Sequence, residues 1–392
     1  MVEDKKRYYM RLKVLTPVHI GSGETLSKLE YSYNRFNRLL SVLDGTKFFC
    51  ELQKRRRLEA YAVFVEKVSL NNANASVYNW LREQFGPKPA DEIIRQSAKY
   101  EIRLDVAGNK GFNDLRCHIK SIDRPYVPGS SIKGMIRTAL LFKYLYENIN
   151  EFADQKKEID RAVKSGQFIA KTIGRAVKDI EDNVFGNEND PKSKLTGMSG
   201  ISVSDSTLLD SGALTVIQKV DYLINKPDAA TNPIPVFYEC LKEGSVLDFM
   251  LDVDPGKTAE SKATRGILTA RDIIEVLTFQ HRKLFYVRDK SPWSNFISLL
   301  PDKRKLDGFT RVFLGGNTGY IAHTVIAALY REDIEQRRLV TAGLLHEKFG
   351  RTPMGKHLND RPYSPRTIHT VLKGDEHFFA GMCELSEVAK CP

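Results

Sequence analysis

His19 stands two residues before Gly21-Ser22-Gly23, and an imidazole beside a glycine-rich turn is placed to act as a general acid or base on an RNA 2′-hydroxyl. A structural histidine bonded to backbone occupies the same kind of position. Lys133 and Arg137 offer a different chemistry, four residues apart and preceded by Pro128-Gly129 and Ser130-Ser131. Proline-glycine is a turn signal and the serine hydroxyls can cap free amides, so a helix is expected to start near Ile132. Its amino end, with free N–H groups and two cations on one face, suits a run of phosphates. Gly134 shares that face. Glycine inside a helix costs about 1 kcal/mol against alanine, so it marks close approach by another backbone, either protein or a phosphate chain. Gly315-Gly316-Asn317-Thr318-Gly319 is a third glycine-rich stretch, and Asp205 in Val203-Ser204-Asp205-Ser206 is either a nuclease acid or a partner of neighbouring amides.

Known cofactor chemistry does not account for these motifs. Residues Gly129 to Gly134 miss the triphosphate-loop pattern because Met135 follows Gly134, and neither other glycine stretch follows a dinucleotide fingerprint. Cys50, Cys117, Cys240, Cys383 and Cys391 are odd in number and contain no C-x-x-C pair, which excludes a disulfide framework and a zinc ribbon. Cys117 and His118 are neighbours in a strand pattern, so their side chains point to opposite faces and share no metal. No cofactor, metal site or catalytic residue is therefore expected. Three glycine-rich loops without a nucleotide fingerprint suit a single-stranded nucleic acid, with Tyr126 and Tyr320 for stacking and Lys133, Arg137 and Arg311 for phosphates.

The elements that must hold these groups follow from period and punctuation. Arg7 to Ile20 is β-branched and aromatic and reads as an opening strand; Leu39 to Leu43 reads as a returning one. Asn71 to Lys99 is polar and partly helical, broken at Gly86-Pro87-Lys88-Pro89, and looks like an insertion. Tyr100 to Val106 and Arg116 to Ile122 read as strands, and apolar Ile132, Met135, Ile136, Ala139 and Leu140 make a helix face. Asn148 to Asp190 is charged and helical. Phe237 to Val253 reads as two antiparallel strands joined at Glu243-Gly244, with a helix after it from Thr269 to Phe279. Phe313 to Tyr330 repeats the order of strand, glycine turn and apolar helix.

At 392 residues the chain is long enough for two or three domains. The expected division is residues 1–236 and 237–392. Its 42% hydrophobic and 28% charged shares, with no run of about 18 apolar residues, point to a soluble, cytoplasmic protein with no membrane contact. Lys and Arg exceed Asp and Glu to give +11, which favours a polyanionic partner.

Four blocks carry a resemblance: Thr16 to Glu24, Tyr126 to Leu140, Val203 to Ser206 and Leu314 to Gly319. They resemble the RAMP superfamily of CRISPR-Cas proteins, and their order is most similar to the type III-A Csm-complex subunit that caps the crRNA 3′ end. The resemblance implies an α+β fold of two ferredoxin-like (RRM-like) modules and a non-catalytic role in crRNA binding, crRNA maturation and antiviral defence. It implies crRNA, target RNA, neighbouring RAMP backbone subunits and a maturation nuclease as partners. Carried over by position, the RNA-facing residues are His19, Gly21, Ser22, Gly23, Gly129, Ser130, Ser131, Lys133 and Arg137, with Gly315, Gly316, Thr318 and Gly319. The chain departs from the family at Ala322-His323, where a lysine is common. The alternative reading is a metal-independent endoribonuclease that processes repeat RNA with His19 as general acid or base.

Overall fold

The computed structural model describes residues 4–71, 76–104, 114–190, 196–223, 233–285, 310–350, 357–361, 363–373 and 376–390. Strand β1 (Lys6–Val14) buries Met10, Leu12 and Val14, the alternate positions of its apolar face. Strand β2 (Gly21–Leu26) follows, exposed along most of its length. The chain then leaves on an excursion: β3 (Tyr31–Asn34) and β4 (Leu39–Leu43) pair as a hairpin. Helices α1 (Gly45–Lys54), α2 (Leu58–Asn71), α3 (Val77–Phe85) and α4 (Pro87–Ser97) come next, and β5 (Ala98–Arg103) pairs back on β4. The excursion has a core of its own around Phe48, Leu52, Trp80, Leu81 and Ile93. The Gly86 breaker ends α3 at φ +80° and leads into Pro87 at the start of α4, where a missing N–H costs nothing.

Strand β6 (Leu115–His118) and the short ribbon β7 (Lys120–Ser121) and β8 (Arg124–Pro125) lead into α5 (Gly129–Glu147). Helices α6 (Ala153–Ser165) and α7 (Ile169–Phe185) form a helical hairpin turned at Gly166. After β9 (Ile201–Val203), β10 (Leu214–Leu223), β11 (Pro233–Leu241) and β12 (Val246–Val253) come α8 (Pro255–Thr258) and α9 (Ala270–Phe285). Strand β13 (Thr310–Phe313), helices α10 (Gly319–His323), α11 (Ile326–Leu329) and α12 (Ile334–Phe349), and strands β14 (Thr367–Lys373), β15 (Glu376–Phe379) and β16 (Met382–Val388) complete the fold.

One sheet has the order β13-β16-β1-β12-β9, with every neighbour antiparallel. Its elements β1, α5, β9, β12, α9 and β16 follow the connectivity of a ferredoxin-like split β-α-β-β-α-β unit, with β13 added at one edge. Helices α5 and α9 pack together, and residues of both join β1 and β12 in the main core. The opposite face is closed by ion pairs between strands, Arg7 on Asp252 and Arg11 on Asp248, each at 2.8 Å. The second sheet runs β15-β14-β10-β11-β6-β2, which leaves β2 at an edge.

The fold is α+β, as expected, but its ferredoxin-like unit draws on both halves of the chain. The last strand pairs with the first because Leu12 and Leu385, both buried, meet in register. The 236/237 boundary falls inside β11. Two expectations about single elements need correction. The strands read as a hairpin across Glu243-Gly244 lie in different sheets, β11 beside β10 and β6, β12 beside β1 and β9. The incoming chain makes the same crossing alongside them: Val14 donates to the Ser245 carbonyl at 2.8 Å and Val18 to that of Leu241 at 3.1 Å. The apolar helix expected after the late glycine turn is two short pieces, α10 and α11, interrupted at Thr324. Cys391 and the side chain of His323 lie outside the described residues.

Candidate nucleic-acid interface

Helix α5 begins at Gly129, three residues earlier than expected, and the serines do not cap it. The carboxylate of Asp205, carried in behind β9, accepts the Gly129 amide at 2.8 Å. A Cβ on Gly129 would lie 2.3 Å from the Val203 carbonyl oxygen, so only glycine lets the helix start this close to the strand. Ser130 and Ser131 fall within the first turn, beyond the position from which a side chain caps. The amino tip is therefore no open anion cradle. Asp205 plays the amide-bonding role, and a polyanion aimed along the helix axis would meet its negative charge.

Open space lies instead along the side of α5. A groove of about 430 Å³ is lined by Ser131, Gly134, Met135 and Thr138 of α5, by Gly21, and by Gly315 and Gly316. Leu277, Gln280, His281 and Leu284 of α9 form another wall, with Arg311 of β13. Three stretches far apart in sequence thus meet at one cavity, whose described lining includes no Asp or Glu. Gly134 is exposed, and a Cβ built there meets no atom within 4 Å. Among the described residues no protein backbone approaches it, which favours the external one of the two readings of this glycine.

The edge of the groove is fixed by a buried polar network. His19 donates its Nδ1 proton to the Glu239 carbonyl at 2.7 Å. Its own carbonyl accepts the Gly316 amide at 2.7 Å, which ties the first glycine stretch to the late one. At Gly315, with φ +82°, a Cβ would lie 2.2 Å from that same carbonyl oxygen. Beneath them the fully buried Glu239 carboxylate accepts the Tyr100 hydroxyl at 2.6 Å and the His118 amide at 3.0 Å, and it pairs with Lys120. His118 accepts the Ile20 amide at Nδ1 and donates from Nε2 to the Tyr126 carbonyl. Burial pushes His118 down to about 3 and lowers His19, so both rings are neutral near pH 7.

The cations divide. Lys133 is half-buried, makes no ion pair among the described residues, and is pushed below the usual lysine range by desolvation alone. A lysine held partly out of water without a carboxylate is poised to accept an anion. Arg137, one turn on, is already engaged: it donates to Glu181 at 2.7 Å and lies 4.7 Å from the centre of the Phe185 ring. Ser22 and Gly23 lie exposed on β2, where the Ser22 hydroxyl donates to the Cys117 carbonyl at 3.4 Å. Thr318 is buried, with its hydroxyl on the Gly315 carbonyl at 3.2 Å, and Gly319 opens α10. Tyr320 was expected to stack, but its hydroxyl bonds inward to Thr341 at 3.2 Å.

Sequence reasoning missed the α9 wall, although Leu277, His281 and Leu284 recur at helical spacing and could have been read as one face. It also missed Glu239, whose lone position in an apolar strand gives no local signal.

The chain is similar to known proteins along nearly its whole length. The RAMP superfamily pattern matches residues 11–318. The chain is 25% identical to the CRISPR system Cms protein Csm5 of Enterococcus italicus, covering 94% of this chain and 92% of that one. It is 26% identical to the protein of the same name from Streptococcus thermophilus, covering 97% and 96%. Among solved structures, a chain of a Csm-crRNA-target RNA ternary complex from a type III-A CRISPR-Cas system matches with a TM-score of 0.66 at 20% identity, covering 97% of this chain and all of that one. Csm5 of T. onnurineus matches with a TM-score of 0.61 at 20% identity, covering 84% and 96%.

Proposed function

Because this chain belongs to the RAMP superfamily, we propose that it is the crRNA-binding subunit that closes the 3′ end of the guide in a type III-A Csm effector complex. It binds the crRNA by its backbone, supports its maturation, and contacts target RNA and a neighbouring RAMP subunit. The groove lies along helices α5 and α9 of the ferredoxin-like unit. The observation that carries this reading is the groove beside α5, where three glycine-bearing stretches converge with no Asp or Glu in the described lining and Gly134 leaves space that no described atom uses. A sugar-phosphate strand fits such a surface because phosphate oxygens need close backbone approach and cations nearby. Arg311 lines the groove, Lys133 stands next to Gly134 on α5, and Ser131 and Thr138 supply hydroxyls.

The role is non-catalytic. With Nδ1 donating to the Glu239 carbonyl, the His19 lone pair is on Nε2; a general base must bring that lone pair within reach of the 2′-hydroxyl, whereas the ring is buried. Relatives named Csm5 along nearly the whole chain support the placement in a Csm complex.

The test is to purify the assembled complex carrying Gly134→Leu or Lys133→Ala and to measure guide occupancy, guide length and salt dependence. Gly134→Leu is expected to lower occupancy or shorten the guide, and Lys133→Ala to reduce the slope of log affinity against log salt by about 0.7, one phosphate on a single strand. Unchanged guide and slope would overturn the reading. Cleavage of repeat RNA in chelator by the native chain but not by His19→Ala would overturn the non-catalytic part alone.

A further inference from the structure

Gly134 is not the sole glycine of its kind. In α7, Gly174 is exposed in mid-helix, and a Cβ built there also meets no atom within 4 Å. It costs the helix stability against alanine and serves no contact among the described residues. Along the chain its neighbours are charged in one sense only: residues 161–178 hold five Lys or Arg and no Asp or Glu. All five, Arg161, Lys164, Lys171, Arg175 and Lys178, are exposed. Lys171, Arg175 and Lys178 share one face of α7 with Gly174, at rises of about 6 and 4.5 Å along the axis. Arg175 has a partner in Glu158 at 3.3 Å, while the other four make no ion pair among the described residues.

An aromatic group completes the patch. Phe168, just before α7, is 67% exposed and holds a left-handed φ of 56°. On the neighbouring α12, Glu347 accepts the Ala170 amide at 2.9 Å, which brings Lys348 and the 41% exposed Phe349 to the same corner. Glu347, Glu158 against Arg175, Asp179 next to Lys178 and, one turn beyond, Asp182 are the acids bordering the surface. Cations spaced along a helix, a bare glycine between them and unburied rings at the end are the ingredients of a single-stranded nucleic-acid path: phosphates on the cations, backbone against the glycine, bases on the rings.

We propose that the α6–α7 hairpin is a second single-stranded RNA contact, separate from the groove, with the strand crossing α7 at Gly174 and a base stacking on Phe168. A solvated helix face would explain the lysines alone, but it gives no reason for Gly174 or for a ring left in water. The proposal rests on the reading of the groove only through the shared ligand.

The experiment measures binding of the full chain to a fluorescent oligouridylate of about 12 nucleotides across a salt series. Lys171→Gln with Lys178→Gln is expected to lower the slope of log affinity against log salt by about 1.4, two phosphates' worth. Phe168→Gly relieves the left-handed backbone and so keeps the fold, as a melting curve will show. It is expected to weaken binding roughly fivefold or more with the slope unchanged. Unchanged affinity and slope in both variants would overturn the proposal, as would displacement of the oligouridylate by polyglutamate at equal charge concentration, which would assign the patch to an acidic protein. Gly134→Leu measured in parallel keeps the two sites apart. An effect there with none at α7 sinks this proposal alone, and the reverse sinks the groove alone.

Discussion

Glycine carries most of the information at the scale of single residues, and the sequence alone could not sort one kind from another. Gly129 and Gly134 lie five apart in the same motif. The first is glycine because the Val203 carbonyl would collide with any side chain, and the second faces nothing among the described residues. Removing a helical glycine that nothing requires should help the fold, so Gly134→Ala is expected to raise stability by up to about 1 kcal/mol in thermal melts. A loss of stability would show a hidden packing role. The two cations of that motif also separate. Arg137→Ala breaks a partly exposed pair and a ring contact and is expected to cost about 1 kcal/mol of stability while leaving the salt slope of RNA binding unchanged. A changed slope at constant stability would place Arg137 on the RNA.

At the scale of elements, α5 was legible from its apolar period but its start was not. The cap comes from Asp205, 76 residues away along the chain, and no local pattern announces a cap lent by another strand. Asp205→Ala is expected to cost about 1 kcal/mol of stability, checked by urea unfolding, whereas Ser130→Ala should be near neutral. Equal losses in both variants would restore the serine cap. The pair β11 and β12 teaches a related lesson. Strand, turn and strand were read correctly from Glu243-Gly244, yet each strand finds its partners elsewhere, Leu241 at Val18 and Leu247 at Leu12. Strand existence is a local property, but pairing is decided by which distant apolar faces meet.

For the molecule as a whole, the basic balance and the three glycine stretches were legible, because charge and backbone freedom show in composition and spacing. The unity of the ferredoxin-like sheet was not, since it depends on β16 returning to β1 across nearly the full chain. Burial of histidines makes this architecture sensitive to acid. His118 and His281 are both pushed down to about 3 by desolvation, whereas in the unfolded chain each titrates near 6.5. Their contribution is complete above about pH 6.5 and is lost as pH falls toward about 3, because the unfolded chain takes up protons that the folded one refuses. The expected loss by about pH 5 is on the order of 2 kcal/mol per ring, readable as a falling urea midpoint; a midpoint constant between about pH 7 and pH 5 would contradict neutral burial.

The central claim is that a sugar-phosphate strand lies in the groove beside Gly134. Its most direct measurement is photo-crosslinking of the guide in the assembled complex, followed by mapping of the modified peptides. The account predicts adducts on the α5 segment around Ser131 to Thr138 and on the Gly315-Gly316 turn, lost in Gly134→Leu. A fully occupied complex whose adducts all fall elsewhere on the chain would contradict it.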